Sequence, residues 1–488
     1  MKRILLVFFI LLFSAKLFAQ QFSQYNTGTL YDSFENPSQR AFIPDTSKML
    51  AFNFFAPNLN FNFYLTGDAQ AALKSRAFSS YYNTADLQVG KGKYNHVNVN
   101  ANAYLIMFKV FSSQNGDQEL GFSVNTKSEA RGIVSDESIA LFNGPGAFPN
   151  SSYNNIFNDN LFYQVYQQIG FTYREQVNKQ FALGIKLNAL SGVTYNKIEI
   201  DQSHVTLDTA NDAATLSLLG KNYSSSNAGK SLAQNFLPTF RNPGVSISIG
   251  TSYKTEDGFT IQGNLKDLGF IHWNKNSTIF LFDNINSPVT INGLSTAHRE
   301  DSIYNKTRFI TTTAPKTTDF STPTNALFEL SATKSFWLDY NNSFKFSPTL
   351  IASKELVYSG FTAALVAPVQ YSKYAVTLTS SYNDLKIFNF GGQFMIKSDN
   401  AEFFIGSERL YQTASLIKSS LGKASPPIEA MTPSTAFTGA DFFVGFSWKF
   451  GPLIERRLNM SNISTSGEKG FFGRLIDRIF PQDPIKNN

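Results

Sequence analysis

The stretch Asp441-Phe442-Phe443-Val444-Gly445-Phe446-Ser447-Trp448-Lys449-Phe450 splits into two rows. One holds Phe442, Val444, Phe446, Trp448 and Phe450; the other holds Phe443, Gly445, Ser447 and Lys449. Successive side chains of a strand point to opposite faces. One face is therefore wholly apolar and aromatic, while the other is mostly small or polar. A soluble strand over a core reads this way at times. A strand with lipid on one side and water on the other must do so.

The alternation recurs along the chain. Leu59, Phe61, Phe63 and Leu65 alternate with Asn58, Asn60, Asn62 and Tyr64; Val97, Val99, Ala101 and Ala103 alternate with His96, Asn98, Asn100 and Asn102. Phe181, Leu183, Ile185 and Leu187 alternate with Ala182, Gly184, Lys186 and Asn188. Helical spacing fits none of these. The connections alternate as well. Tight ones such as Glu256-Asp257-Gly258 and Ser398-Asp399-Asn400 suit hairpins; long polar ones fall near 67–93, 132–161, 200–243, 274–324 and 414–439.

Strands are expected near 58–66, 94–111, 119–131, 162–174, 180–195, 244–254, 259–273, 325–336, 343–355, 358–368, 373–383, 387–397, 402–413 and 440–450. That is an even set of about fourteen, with every long loop at one end. The fold class is all-β: a transmembrane antiparallel β-barrel over 58–450, with a plug-like N-terminal segment at 20–57 and a tail at 451–488. Phe471, Phe472, Leu475, Ile476 and Ile479 share one side of a short amphipathic helix in that tail. It reads as docking a periplasmic partner, packing under the barrel or lying on the inner leaflet.

The N-terminus gives the compartment. Lys2 and Arg3 precede an apolar run from Ile4 to Phe13, and Leu17-Phe18-Ala19 offers a cleavage point. Residues 1–19 read as a secretory signal peptide, which places the barrel in the outer membrane of a Gram-negative bacterium. The chain has no cysteine, so a continuous strand ladder rather than disulfides must hold it. Lys+Arg number 42 against 36 Asp+Glu, which is no nucleic-acid footprint.

Catalytic chemistry is not written here. His96, His204, His272 and His298 stand far apart without metal-ligand spacing, and no phosphate loop or nucleophile turn is present. Neither an enzyme nor a cofactor is expected. The candidate feature is the inward row Lys127, Glu129 and Arg131, with Lys109 on the preceding strand and Lys186 on a later one. It reads either as a patch that orients an anionic head group or as a solvated interior held by mutual ion pairs. Trp273, Trp337, Trp448, Tyr163 and Tyr173 read as rim residues at the lipid–water boundary or as markers of a ligand cleft. The insert at 274–324 reads as a solvated loop, a lid or a partner-binding surface.

Several motifs carry resemblances. Phe446, Trp448 and the final Phe450 resemble the terminal strand signal of outer-membrane barrels. Gly28-Thr29-Leu30-Tyr31-Asp32-Ser33-Phe34-Glu35-Asn36-Pro37-Ser38 resembles the N-terminal segment of the outer-membrane long-chain fatty-acid transporter superfamily. There an Asn-Pro-Ala motif belongs to a lumen plug, so the resemblance implies a plug role for Asn36 and Pro37. Ser23-Gln24-Tyr25-Asn26, Leu65-Thr66-Gly67-Asp68-Ala69 and Lys266-Asp267-Leu268-Gly269-Phe270-Ile271 with Trp273 resemble a Bacteroidota-type family of uncharacterised outer-membrane barrels. It implies location and fold but no activity. Barrels of the type IX secretion apparatus are similar in plan only.

Two functions follow as expectations. One is binding or passage of a small hydrophobic or amphipathic molecule through a lipid-embedded barrel. The other is a non-transporting accessory barrel whose loops or tail hold a periplasmic or surface protein partner in a secretion, motility or surface-assembly complex.

Overall fold

The computed structural model describes residues 28–479 except 40–41, 43–47, 55, 80, 112–116, 226–237, 342, 359, 422–436 and 452–469. The signal segment and most of the tail lie outside the described residues. Fourteen antiparallel strands close into one barrel. They are β1 (Asn58–Thr66), β2 (Tyr94–Phe111), β3 (Gln118–Ser135), β4 (Asn160–Gln176), β5 (Phe181–Asp208), β6 (Pro243–Lys254) and β7 (Phe259–Trp273). The second half is β8 (Leu327–Lys334), β9 (Thr349–Glu355), β10 (Phe361–Tyr371), β11 (Tyr374–Asn383), β12 (Phe388–Lys397), β13 (Ala401–Ser407) and β14 (Phe437–Phe450). Each pairs with the next, and β14 returns to β1 with Leu59 opposite Val444. Closure leaves no free edge, the condition for spanning lipid with strands.

The two rows of β14 separate as the alternation requires. Phe442 and Trp448 are 47% and 44% exposed, whereas Phe443 and Ser447 are 1% and 3% exposed. Leu120, Phe171, Leu187, Phe270, Leu350 and Leu378 continue the apolar exterior around the barrel. Moving one such side chain from water into lipid is worth about 2 kcal/mol. Trp273 departs from the rim reading. It is fully buried and packs inside with Tyr166, Leu190 and Tyr195, because a bulge lower in β7 reverses the strand's parity.

Two stretches modify the wall. Leu50–Phe52 pairs with both β14 and β2 below β1. Beside it, β2 carries a bulge at Leu105. Asn53 holds that bulge, donating to the Tyr104 carbonyl at 3.0 Å and accepting from the Met107 amide. The second stretch is at β13, which ends at Ser407 rather than reaching 413. From Leu410 to Leu421 the chain is helical (α5); its apolar residues recur with helical, not strand, spacing.

Several of the long connections fold together. Residues from 140–157, the hairpin at 205–218 and the 274–324 insert share one apolar core, including Phe148, Leu207, Leu216, Phe282, Ile291 and Ile310. The insert contributes a helix, α4 (Arg299–Thr311), which follows α2 (Gln70–Ser79) and α3 (Asp136–Leu141) of the earlier connections. The result is a folded cap over the long-loop end. At its base Asp159 accepts from the Ser135 amide (2.9 Å) and the Ser138 hydroxyl (2.6 Å). Burial outweighs these bonds and pushes its carboxyl up from 3.8 to about 6. Folding therefore binds the proton more tightly than the unfolded chain does. The associated stabilisation is complete below pH 3.8 and is lost as pH rises through about 6. Asp159→Asn is expected to flatten this dependence of cap melting between pH 4 and 7, which scanning calorimetry in detergent checks.

At the other end, the tail helix α6 (Phe471–Ile479) meets the rim of β4. The amides of Phe472 and Gly473 donate to the Glu175 carboxylate at 2.7 and 2.8 Å. A helix N-terminus presents such unpaired donors. The Phe472 ring lies 5.4 Å from that of Tyr173.

Candidate lumen site

A short helix, α1 (Leu30–Glu35), lies inside the barrel. Thr29 and Asp32 form a reciprocal capping box at its start. Its free Leu30 amide donates to Glu402 (3.0 Å), and Lys397 donates to the Gly28 carbonyl (2.9 Å). Beyond the helix, Ser252 donates to the Ser38 carbonyl (3.0 Å) and Asn264 to the Glu35 carbonyl (3.1 Å). Asn36 and Ser38 are fully buried, and the Asn36 side chain accepts from the Ser38 amide at 3.0 Å. The wall makes room with glycine. A Cβ on Gly184 would lie 2.4 Å from the Pro37 carbonyl oxygen, and one on Gly250 would lie 2.6 Å from Asn36 Oδ1.

Above this segment the bulge in β7 takes effect. Leu265 faces Ile249 and Leu268 faces Ile247, so Lys266 and Asp267 together oppose one residue. Asp267 adopts φ +48°, a left-handed conformation that Asp tolerates better than most side chains. Its amide donates to Ser248 Oγ at 2.9 Å. Both Lys266 and Asp267 consequently face inward.

There they complete a cluster of charges. Lys127 pairs with Asp267. Lys266 bridges Glu35 of the plug (3.3 Å) and Glu329 of β8 (3.1 Å). Lys186 donates to the Tyr104 hydroxyl (3.1 Å), which donates to Glu35 (2.8 Å). Arg131 grips Glu355 of β9 with two bonds of 2.7 and 2.8 Å, and its guanidinium lies 4.3 Å from the Tyr358 ring centre. Glu129 accepts from Gln164 at 3.4 Å. The lumen thus gathers Lys127, Glu129, Arg131 and Lys186. Lys109 lies elsewhere, paired with Glu119 (2.7 Å) near the short-turn end, where Arg174 shares that carboxylate (2.9 Å). Glu35, Lys266, Asp267, Glu329 and Glu355 were not among the residues expected at the site. The signal for two of them is the parity of β7: Ile261 and Leu265 share a face with Leu268 and Phe270 only if a residue is inserted between them.

Two cavities flank the Arg131–Glu355 pair. The lower, about 140 Å³, is lined by Tyr31, Glu35, Asn60, Asn100, Lys127 and Asp267. The upper, about 280 Å³, is lined by Tyr64, Phe162, Tyr195 and Tyr358 together with His96, Asn98, Arg131, Asn160 and Lys197. A polar chamber beside the N-terminal helix therefore adjoins one lined by four aromatic rings with Arg131 and Lys197. Among the described residues, no group of His, Cys, Asp and Glu is placed to hold a metal.

A family model described as a family of unknown function (DUF5723) matches residues 41–408. The chain belongs to that family. No curated protein matches it. Among solved structures, it is similar to the Ralstonia pickettii toluene transporter TbuX at 8% identity, over 86% of this chain and 93% of that one, with a TM-score of 0.41. The Pseudomonas putida toluene transporter TodX gives 8%, 85%, 92% and 0.38 in the same terms. A Pseudomonas aeruginosa FadL homologue gives 10%, 89%, 99% and 0.37. These are loose likenesses between barrels.

Proposed function

We propose that this chain is an outer-membrane barrel of a Gram-negative bacterium that binds or passes a small amphipathic molecule. The observation that carries this reading is the cavity that four aromatic rings line together with Arg131. Tyr64, Phe162, Tyr195 and Tyr358 offer apolar surface to a hydrocarbon body, and the guanidinium faces its polar end. Glu355 already neutralises Arg131, so a carboxylate ligand would share the guanidinium with Glu355. The plug beneath, with Asn36 and Pro37 seated on wall glycines, closes the route to the short-turn end. Lys127, Glu129 and Lys186 hold the plug's surroundings through ion pairs and hydrogen bonds, and Lys109 braces the rim.

The test is binding of a decanoate-type alkyl carboxylate to the full chain in nanodiscs, measured by calorimetry. Tyr358→Ala is expected to weaken affinity about tenfold, the loss of one aromatic contact and one cation–π partner. Equal affinity in the two proteins, or equal binding of an alkyl ammonium, would defeat the reading.

A further inference from the structure

We infer that the amphipathic molecule carries a zwitterionic head, with an anion next to its tail for Arg131 and an ammonium beyond it for Glu129; this rests on the reading above and adds the substrate class. The register of the wall sets that order. Tyr64, Asn98, Arg131 and Phe162 lie side by side across β1 to β4, and all four line the upper cavity. One rung nearer the short-turn end come Asn62, Asn100, Glu129 and Gln164, of which the first three line the lower cavity. Residues two apart on a strand are separated by about 7 Å. A molecule whose tail occupies the upper cavity therefore presents its end first to a cation and then, one rung on, to a carboxylate.

Glu129 is the carboxylate that the cluster leaves uncompensated. Asp267 has Lys127, Glu355 has Arg131, and Glu35 and Glu329 share Lys266. Glu129 is 5% exposed, and among the described residues it accepts only from the neutral Gln164 amide, at 3.4 Å. A charge taken out of water is costly unless a counter-charge meets it. A second acceptor lines the same chamber. Asn325 donates to Glu355 at 3.2 Å, but its buried Oδ1 has no partner among the described residues. The rings of Tyr31 and Tyr166 line it too, and aromatic rings attract ammonium groups. Lys127 and Lys266 also face this chamber, each already held by carboxylates.

The anionic half of the ligand needs that cation. Arg131 is already gripped by Glu355, and Lys197 at the upper cavity is paired with Glu199 at 2.9 Å. A ligand anion alone would set itself, Glu355 and Glu129 around one guanidinium. An ammonium a few bonds beyond the anion removes the imbalance. Alkyl phosphocholines and their ethanolamine counterparts have this order, whereas an alkyl sulfobetaine carries the same two charges reversed. A bare alkyl ammonium would have to bring its charge past Arg131 without an anion to offset it.

The test compares probes of equal tail length by calorimetry on the full chain in phosphatidylglycerol nanodiscs, whose lipid has no ammonium, with empty discs as the blank. Decylphosphocholine is expected to bind about tenfold more tightly than the decyl sulfobetaine, the worth of one charge-assisted contact. Equal affinity for the two overturns the inference, and this comparison needs no variant. Glu129→Gln, in a barrel that keeps its heat-modifiable gel mobility, is expected to weaken decylphosphocholine about tenfold and to tighten decanoate, since a repelling charge is gone. A merely loosened lumen would weaken both probes alike, and that result overturns the inference. Decanoate binding that Tyr358→Ala weakens, with no preference between the zwitterions, would defeat the zwitterionic head alone. A preference that Glu129→Gln abolishes and Tyr358→Ala leaves untouched would support the head and defeat the aromatic site.

Discussion

Gly184→Val is expected to unseat the plug and open the lumen. The added Cβ falls 2.4–2.6 Å from the carbonyl group and ring of Pro37, and backbone at that distance must move. The strand itself tolerates valine well, so the wall survives while its tenant does not. Gly250→Val strikes the neighbouring turn, 2.6 Å from Asn36 Oδ1 and 2.9 Å from the Ser38 amide, and the two changes should act alike. In planar bilayers the variant is expected to show a conductance about tenfold above the native chain, as for a barrel of this size without its filling. Deleting residues 28–39 should reproduce it. Unchanged conductance in a folded variant would mean that the segment does not obstruct flow.

Asp267→Ala is expected to be the most destabilising single change in the lumen. It removes the partner of Lys127 and strips acceptors from Gln168 and Asn188, at 3.2 and 3.4 Å. Leaving a buried ammonium without its counter-charge costs about 3–5 kcal/mol. Two further variants apportion the loss. Asp267→Asn keeps a residue at ease with φ +48° and removes only the charge. Asp267→Gly keeps the conformation and removes the side chain. Lys127→Met with Asp267→Gly should recover much of the deficit, since both charges go and the left-handed conformation at 267 is kept without strain. Urea unfolding in phospholipid vesicles reads all four. Equal midpoints for Asp267→Ala and the native chain would show that the bulge is ornamental to stability.

The wall was legible because its physics is local. Lipid on one side and water on the other force a period of two, and β14, β1 and β5 display it residue by residue. The helix at 410–421 was not, because Phe403 and Ile405 begin as a strand row and Leu410 falls off that row with no proline to mark the change. The cap was hidden by composition. Its core draws Phe148, Leu207, Phe282 and Ile303 from connections distant in sequence, each surrounded by Ser, Thr and Asn. The charge cluster lay between these cases. Lys127, Glu129 and Arg131 declare themselves on one row, but their partners Asp267 and Glu355 arrive from strands whose placement only closure decides. The bulges at Leu105 and Asp267 do leave a trace, since each reverses the order of apolar and polar positions.

The plug's anchors have a consequence for assembly. Leu30 is held by Glu402, and β1 is held by β14, so the first residues made wait for nearly the last. Closing so long a chain is slow, because the entropy of the loop must be overcome before the final contacts reward it. A tethered N-terminal segment that already bonds Lys186, Asn264 and Ser252 gathers the middle strands around itself meanwhile. The plug then acts as a mandrel on which the sheet is bent, and variants lacking it should mature more slowly even where the finished cylinder is equally stable.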